Sequence, residues 1–210
     1  MRERILVADD HPVVREGLTA LLTAQGYRVV GMASDGRAAV RLAKELKPDL
    51  AIFDLGMPQL NGLDATRAAL KASPETRVIV LTMHTEEPYV IEALRAGARG
   101  YVLKTQATEH LVQAAQEVAG GSIYLSPGIS KTVVDACFSK ADLPEDPLTL
   151  REREVLHLIT DGKSSKEIGA ALDISARTAE VHRAHIMAKL DIHDTAGLVR
   201  YAVKKGFIVP

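Results

Sequence analysis

Several strand-like runs in this chain stop on residues suited to a single chemistry. Between Pro48 and Pro58, the apolar run Leu50 to Phe53 ends abruptly on Asp54. Ile5 to Ala8 ends on Asp9 and Asp10, Val78 to Leu81 on Thr82, and Gly100 to Leu103 on Lys104. Short apolar runs without polar alternation suit parallel strands buried on both faces. Ligands gather at the carboxyl ends of such strands, so these carboxylates, a hydroxyl and an ammonium are expected on one rim. Taken alone, Asp54 reads as a turn acid. The matching strand ends single it out. Close carboxylates repel unless a dication lies among them, and Mg2+ favours carboxylates, a carbonyl, waters and a phosphate oxygen. An ammonium and a hydroxyl opposite would hold the remaining phosphoryl oxygens. The chemistry that fits is phosphoryl transfer onto a carboxylate, with Asp54 as nucleophile.

The elements that must position these groups alternate strand and helix. Pro12 opens a helical pattern with Val14, Leu18, Leu21 and Leu22, closed by Gly26. Tyr27 to Ala33 reads as a strand, and Gly36 to Leu46 carries apolar residues at helical spacing. Helices are expected from about Gly62 to Ala72, from near Glu86 with Pro88 in the first turn, and over Thr108 to Ala119. Five βα units in succession imply a parallel sheet covered on both sides.

The first 125 residues resemble the response-regulator receiver domains of two-component signalling. The resemblance is carried by Asp9-Asp10, Asp54-Leu55-Gly56-Met57-Pro58, Leu81-Thr82, and the run Ala96 to Lys104 (AGARGYVLK). It implies a flavodoxin-like, five-stranded α/β fold over residues 1–125. Asp54 would be the phospho-acceptor for a sensor histidine kinase. Asp9 and Asp10 would hold Mg2+ together with Asp54 and the main-chain carbonyl of Gly56. Thr82 and Lys104 would contact the phosphoryl group, and Tyr101 would be the aromatic switch that turns inward with Thr82. Many receivers follow the lysine with a cis proline; here Thr105 follows. Gly56 also offers no side chain above the phosphoryl group.

Gly120-Gly121 closes the receiver, and residues 126–147 read as a linker. Within it, Ile129, Val133, Val134 and Cys137 recur at a spacing that suits a short helix to Phe138, and SKADLPEDP (residues 139–147) is acidic and proline-broken. From Leu148 to Pro210 the punctuation is helical. Thr149 with Glu152, and Ser164 with Glu167, fit the capping box. Ser175 suits the cap of a third helix to about Leu190, and Asp194 of a fourth to about Lys205. Only Asp173-Ile174-Ser175 separates the second from the third, the turn of a helix-turn-helix. The run LTLREREVLHLITDGKSSKEIGAALDISARTAEVHRAHIMAKL resembles the NarL/FixJ (LuxR-type) DNA-binding domain, an all-α four-helix unit.

Ala179, His182, Ile186 and Leu190 form the expected buried stripe of the third helix. By resemblance, Glu180, Val181 and Ala184 occupy base-reading positions, and Lys166, Arg177, Arg183 and Lys189 suit phosphates of double-stranded DNA. Glu180 suits cytosine N4 and Val181 a thymine methyl. Residues 148–210 hold ten Lys and Arg against eight Asp and Glu, so 10 − 8 = +2. Motif and face therefore carry the DNA reading, not charge.

The resemblance implies a regulator of transcription rather than an enzyme, and a homodimer when phosphorylated. The linker 139–147 spans at most about 30 Å, and the unphosphorylated receiver is expected to cover the third helix until phosphorylation releases it. Two other classes fit parts of the pattern. A phosphatase turning over an aspartyl-phosphate would need a cap segment, which the sequence lacks. A phosphorylation-dependent protein-binding module without operator recognition would retain no specific DNA.

Composition narrows the field further. The net charge of −1 gives no global nucleic-acid signature, and 4% aromatics with no Trp argue against single-strand stacking. The lone Cys137 cannot form an internal disulfide, which fits a reducing cytoplasm. The chain shows neither a signal peptide nor a membrane span, and no membrane partner is expected. His182, His185 and His193 lack cysteine partners and make a poor zinc set.

Overall fold

The computed structural model describes residues 3–85, 87–129 and 147–204. The chain divides into two compact units, residues 1–140 and 141–210. The short helix expected over Ile129 to Phe138 and the linker 139–147 lie outside the described residues, apart from Ile129 and Pro147.

The first unit alternates β1 (Arg4–Ala8), α1 (Pro12–Ala24), β2 (Arg28–Ala33), α2 (Gly36–Leu46), β3 (Leu50–Asp54), α3 (Gly62–Ala72), β4 (Arg77–Thr82), α4 (Glu87–Arg95), β5 (Gly100–Leu103), a 3-10 turn (Lys104–Gln106), α5 (Ala107–Ala119) and β6 (Tyr124–Leu125). All strands run parallel, in the order β2-β1-β3-β4-β5-β6. The strand order reverses between β1 and β3, which makes a crevice at their carboxyl ends.

The strands β1, β3, β4 and β5 bury both faces, as their uninterrupted apolar sequences require, whereas β2 at the edge stays partly exposed. Ile5, Val7, Leu50, Ile52, Ile79, Leu81 and Val102 pack with Leu18 and Leu22 of α1 and Leu111 and Val118 of α5. The opposite face is filled beneath α2 and α3 by Leu6, Ala8, Ala51 and Phe53, with Ala39, Ala43, Ala65 and Ala69. Beneath α4 it is filled by Val80, Tyr101 and Leu103 with Val90 and Ala93. Each large side chain so buried contributes about 1.5–3 kcal/mol. Local chemistry starts the helices: Pro12 opens α1, Asp35 Oδ1 accepts from the Ala38 N–H (2.8 Å) at α2, and Asn61 Oδ1 from the Asp64 N–H (2.9 Å) at α3.

A sixth strand joins the five expected ones. Two residues long, β6 offers no periodicity to read. It forms because the edge of β5 needs partners: Tyr124 N–H donates to Arg99 O (2.9 Å) and Ser126 N–H to Tyr101 O (2.9 Å). Ser126 Oγ then accepts from the Leu103 N–H (3.0 Å) and ends the pairing.

The second unit comprises α6 (Leu150–Thr160), α7 (Ser165–Leu172), α8 (Ala176–Leu190) and α9 (Thr195–Lys204). Both expected capping boxes form, Thr149 with Glu152 and Ser164 with Glu167. Ser175 caps α8 at the Thr178 N–H (3.0 Å), and Asp194 accepts from the Gly197 N–H (2.7 Å) at the start of α9. The turn between α7 and α8 runs through Asp173 in the left-handed region (φ 53°). It is close enough that a Cβ at Gly169 would stand 2.7 Å from Ile174 O. Val155, Leu156, Ile159, Ile168, Leu172, Ala179, Ile186, Leu198 and Ala202 form this unit's own core.

Candidate functional site

Register brings the chemical groups of the first unit together. Ala8 pairs with Phe53, so Asp9 follows beside Asp54; Thr82 pairs with Leu103, so Lys104 follows beside Thr82. The Lys104 Nζ stands 2.9 Å from Asp54 Oδ1 and 2.8 Å from Asp9 Oδ2. Asp9, Asp54 and Thr82 are buried, whereas the Asp10 side chain is 32% exposed. Gly62 lets α3 begin directly against β3: its N–H donates to Leu55 O (2.9 Å), and a Cβ there would collide with the Asp54 carbonyl.

Burial pushes the Asp54 carboxyl up from its ordinary value, and the hydrogen bond and charge of Lys104 only partly offset this. Burial pulls the Lys104 ammonium down, but Asp9 and Asp54 more than reverse it and leave it raised. The pair is a buried nucleophile and a fixed cation facing it.

The donor set fits a divalent cation. Asp9, Asp10, His11 and Asp54 each offer a ligand atom, all within 4.8 Å of one another. Asp9 Oδ2 and Asp10 Oδ1 are buried oxygens with no directed hydrogen bond among the described residues. Lys104 Nζ stands 2.8 Å from the first and His11 Nδ1 2.7 Å from the second. Such oxygens have lone pairs left to give. Gly56 is exposed at the rim and its N–H supports the Asp54 carboxylate. His11 joins this cluster although the strand-end pattern does not single it out. Its place directly after Asp9-Asp10 is the sequence signal for it.

Thr82 Oγ1 accepts from the His84 N–H (3.1 Å), and Tyr101 Oη donates to the His84 carbonyl (2.9 Å). Tyr101 is fully buried. The His84 ring stacks on Tyr89 of α4, with centroids 4.1 Å apart. No peptide bond among the described residues is cis, including the one after Lys104.

In the second unit, α8 buries Ala179 and Ile186 and half-buries His182 and Leu190, the expected stripe. Lys166, Arg177, Glu180, Val181 and Ala184 are exposed. Two residues expected at phosphates also have partners inside the unit. The Arg183 guanidinium donates to Thr195 Oγ1 (2.5 Å), and Lys189 Nζ pairs with Glu152 Oε2 (2.6 Å). Arg183 follows Ala179 by four residues, only about 40° around a helix of 3.6 residues per turn. It therefore flanks the buried stripe. Lys189 flanks the other side, where α6 presents its capping carboxylate. Burial raises Glu152, but Lys189 and the Thr149 cap outweigh it and hold the carboxyl below its ordinary value. His182, His185 and His193 form no metal-ligating group among the described residues, where the only such group is the one containing Asp54.

Residues 5–116 match the response regulator receiver domain, and residues 146–202 match the bacterial regulatory proteins of the luxR family. The chain is 38% identical over 206 residues to the transcriptional regulatory protein MctR of Rhizobium johnstonii, spanning 98% of this chain and 95% of MctR. It is also 38% identical over 211 residues to the oxygen regulatory protein NreC of Staphylococcus carnosus, spanning 96% and 97%. A solved structure of the two-component response regulator RcsB with DNA is similar at a TM-score of 0.58 and 27% identity, covering 97% of this chain and 99% of that one. The chain belongs to the two-component response regulators of the NarL/FixJ type, a receiver domain followed by a LuxR-type DNA-binding domain.

Proposed function

We propose that Asp54 accepts a phosphoryl group from a sensor histidine kinase, and that this modification controls sequence-specific binding of a homodimer to double-stranded DNA. The observation that carries the reading is the Lys104 ammonium fixed between the buried carboxylates of Asp9 and Asp54. An Asp54 carboxylate oxygen attacks phosphorus, the donor's P–N bond breaks, and the imidazole leaves with the electron pair. Lys104 and the Thr82 hydroxyl bind equatorial oxygens as charge develops there. Asp9, Asp10, Asp54 and the Gly56 carbonyl would hold Mg2+, which neutralises phosphoryl charge. In the second unit, Glu180, Val181 and Ala184 read bases while Lys166 and Arg177 contact phosphates. Regulation of transcription in the cytoplasm follows from that pairing of domains; no described helix is long and apolar enough to cross a membrane.

Labelling with acetyl phosphate and Mg2+ tests the first step. Asp54→Ala should abolish the alkali- and hydroxylamine-labile labelling while circular dichroism stays native, and Asp10→Ala should remove the Mg2+ dependence with the label. Undiminished labelling of Asp54→Ala would overturn the assignment.

A further inference from the structure

Helix α4 is held from two sides, and the two holds act on different turns of it. From the sheet, His84 makes three contacts at once. Its N–H donates to Thr82 Oγ1 (3.1 Å), its carbonyl accepts from Tyr101 Oη (2.9 Å), and its ring stacks on Tyr89 with centroids 4.1 Å apart. A Thr82 hydroxyl drawn to a phosphoryl group on Asp54 therefore pulls on His84 and, through the stack, on the first turn of α4. From α3, Arg67 Nη2 reaches Glu92 Oε2 at 2.9 Å, about one turn beyond Tyr89. Arg67 has little freedom to follow α4. Its Nη1 stands 3.0 Å from Asp64 Oδ1, on a side chain only 1% exposed. Asp64 in turn takes the Asn61 amide (3.3 Å), and α3 begins against the Asp54 carbonyl at Gly62.

Both members of this pair keep a second partner on their own helix. Arg67 retains Asp64, and Glu92 Oε1 retains Arg95 Nη1 at 3.0 Å. Opening the contact between the helices thus strands no charge, which is the penalty that makes other buried pairs hard to break. With Arg67 fixed, a shift of α4 by about 1 Å takes the 2.9 Å contact beyond hydrogen-bonding distance. A contact made in only one of two arrangements biases their equilibrium by its own strength. We propose that the Arg67–Glu92 pair is a latch that holds α4 in the unphosphorylated arrangement, and that phosphorylation opens it through Thr82, His84 and Tyr89. The inference rests on the reading of Asp54 as phospho-acceptor.

The test uses the full chain, with acetyl phosphate and Mg2+ as the labelling reagents. Glu92→Gln and Arg67→Gln remove the charge pair, and the first leaves Arg67 on Asp64. Labelling scales with the population of the released arrangement while that arrangement is the minor one. Each variant should therefore label about three- to fivefold faster than wild type, the weight of a partly exposed ion pair. The double variant should label no faster than either single one, because both remove the same contact. Arg95→Ala removes a partner that travels with α4 and should label at the wild-type rate. A pair that serves only the fold would lower the melting temperature of labelled and unlabelled protein alike and leave the labelling rate unchanged, which would overturn the latch. Slower labelling of Glu92→Gln, or additive effects in the double variant, would overturn it as well. If wild-type protein took no label, the phospho-acceptor reading would fall and the latch with it.

Discussion

Burial of the Asp54 carboxyl favours its protonated form over its ionised one. Its pKa is raised mainly by burial, so the folded state holds the Asp54 proton more tightly than the unfolded chain does. The favourable contribution is present below the ordinary carboxylate pKa and is lost as pH rises through the raised folded value; above that, ionised Asp54 is a cost. Asp54→Asn should therefore raise the melting temperature of the receiver at neutral pH in metal-free buffer. The gain should shrink in acid and on adding Mg2+. A lower melting temperature at neutral pH, followed by calorimetry, would contradict the burial account. On α8, the exposed carboxylate of Glu180 is the residue whose loss should alter sequence choice. Selection from random DNA should show Glu180→Ala relaxing preference at one base pair, by about 1–3 kcal/mol of discrimination. An unchanged selected sequence would mean that the helix docks differently.

Elements take their positions from contacts that single residues make possible. The 2.6 Å pair from Lys189 to Glu152 ties the end of α8 to the capping box that starts α6. Lys189→Ala should leave a nearly buried carboxylate without its cation and destabilise the second unit by about 1 kcal/mol. That figure is discounted because the Lys189 side chain is partly in water. Glu152 has a lowered pKa, so its contribution is present above the unfolded carboxylate value and is lost as pH falls through the lower folded one. Urea unfolding at neutral and acid pH should show the Lys189→Ala deficit at the first and little at the second. A deficit that persists in acid would point to lost packing instead. The mutation should also leave the salt slope of DNA binding unchanged, as expected of a residue that positions α8 rather than neutralising a phosphate.

At the scale of the whole molecule, two units with separate cores are joined through a segment whose last stretch, SKADLPEDP (residues 139–147), is acidic and proline-broken. The release reading holds that the unphosphorylated receiver restrains the DNA-binding unit, and a bias of a few kcal/mol suffices for such control. A fragment beginning near Leu148 retains its capping boxes and its own core. At equal salt it should bind operator DNA at least as tightly as the unphosphorylated full chain. Markedly weaker binding by the fragment, read by fluorescence anisotropy, would show that the receiver assists through dimerisation instead of restraining.

Sequence by itself determined the alternation of strands and helices, the convergence of Asp9, Asp54, Thr82 and Lys104, and the caps of the second unit. Each rests on local physics: an apolar run must be buried, a parallel register lines up strand ends, and a Ser or Thr three residues before Glu satisfies helix N–H groups. The family membership was legible for the same reason, because its motifs sit at those strand ends and caps. Only the tertiary structure decided what depends on neighbours distant in sequence. The two-residue β6 exists because β5 has an edge to satisfy, a demand invisible in Tyr124-Leu125 themselves. Arg183 and Lys189 carry charges fit for phosphates, and within the unit they reach Thr195 and Glu152, partners that no local pattern announces. Tyr101 stands inward because the His84 carbonyl accepts its hydroxyl. A side chain's type limits what it can bind; the fold decides which partner reaches it first.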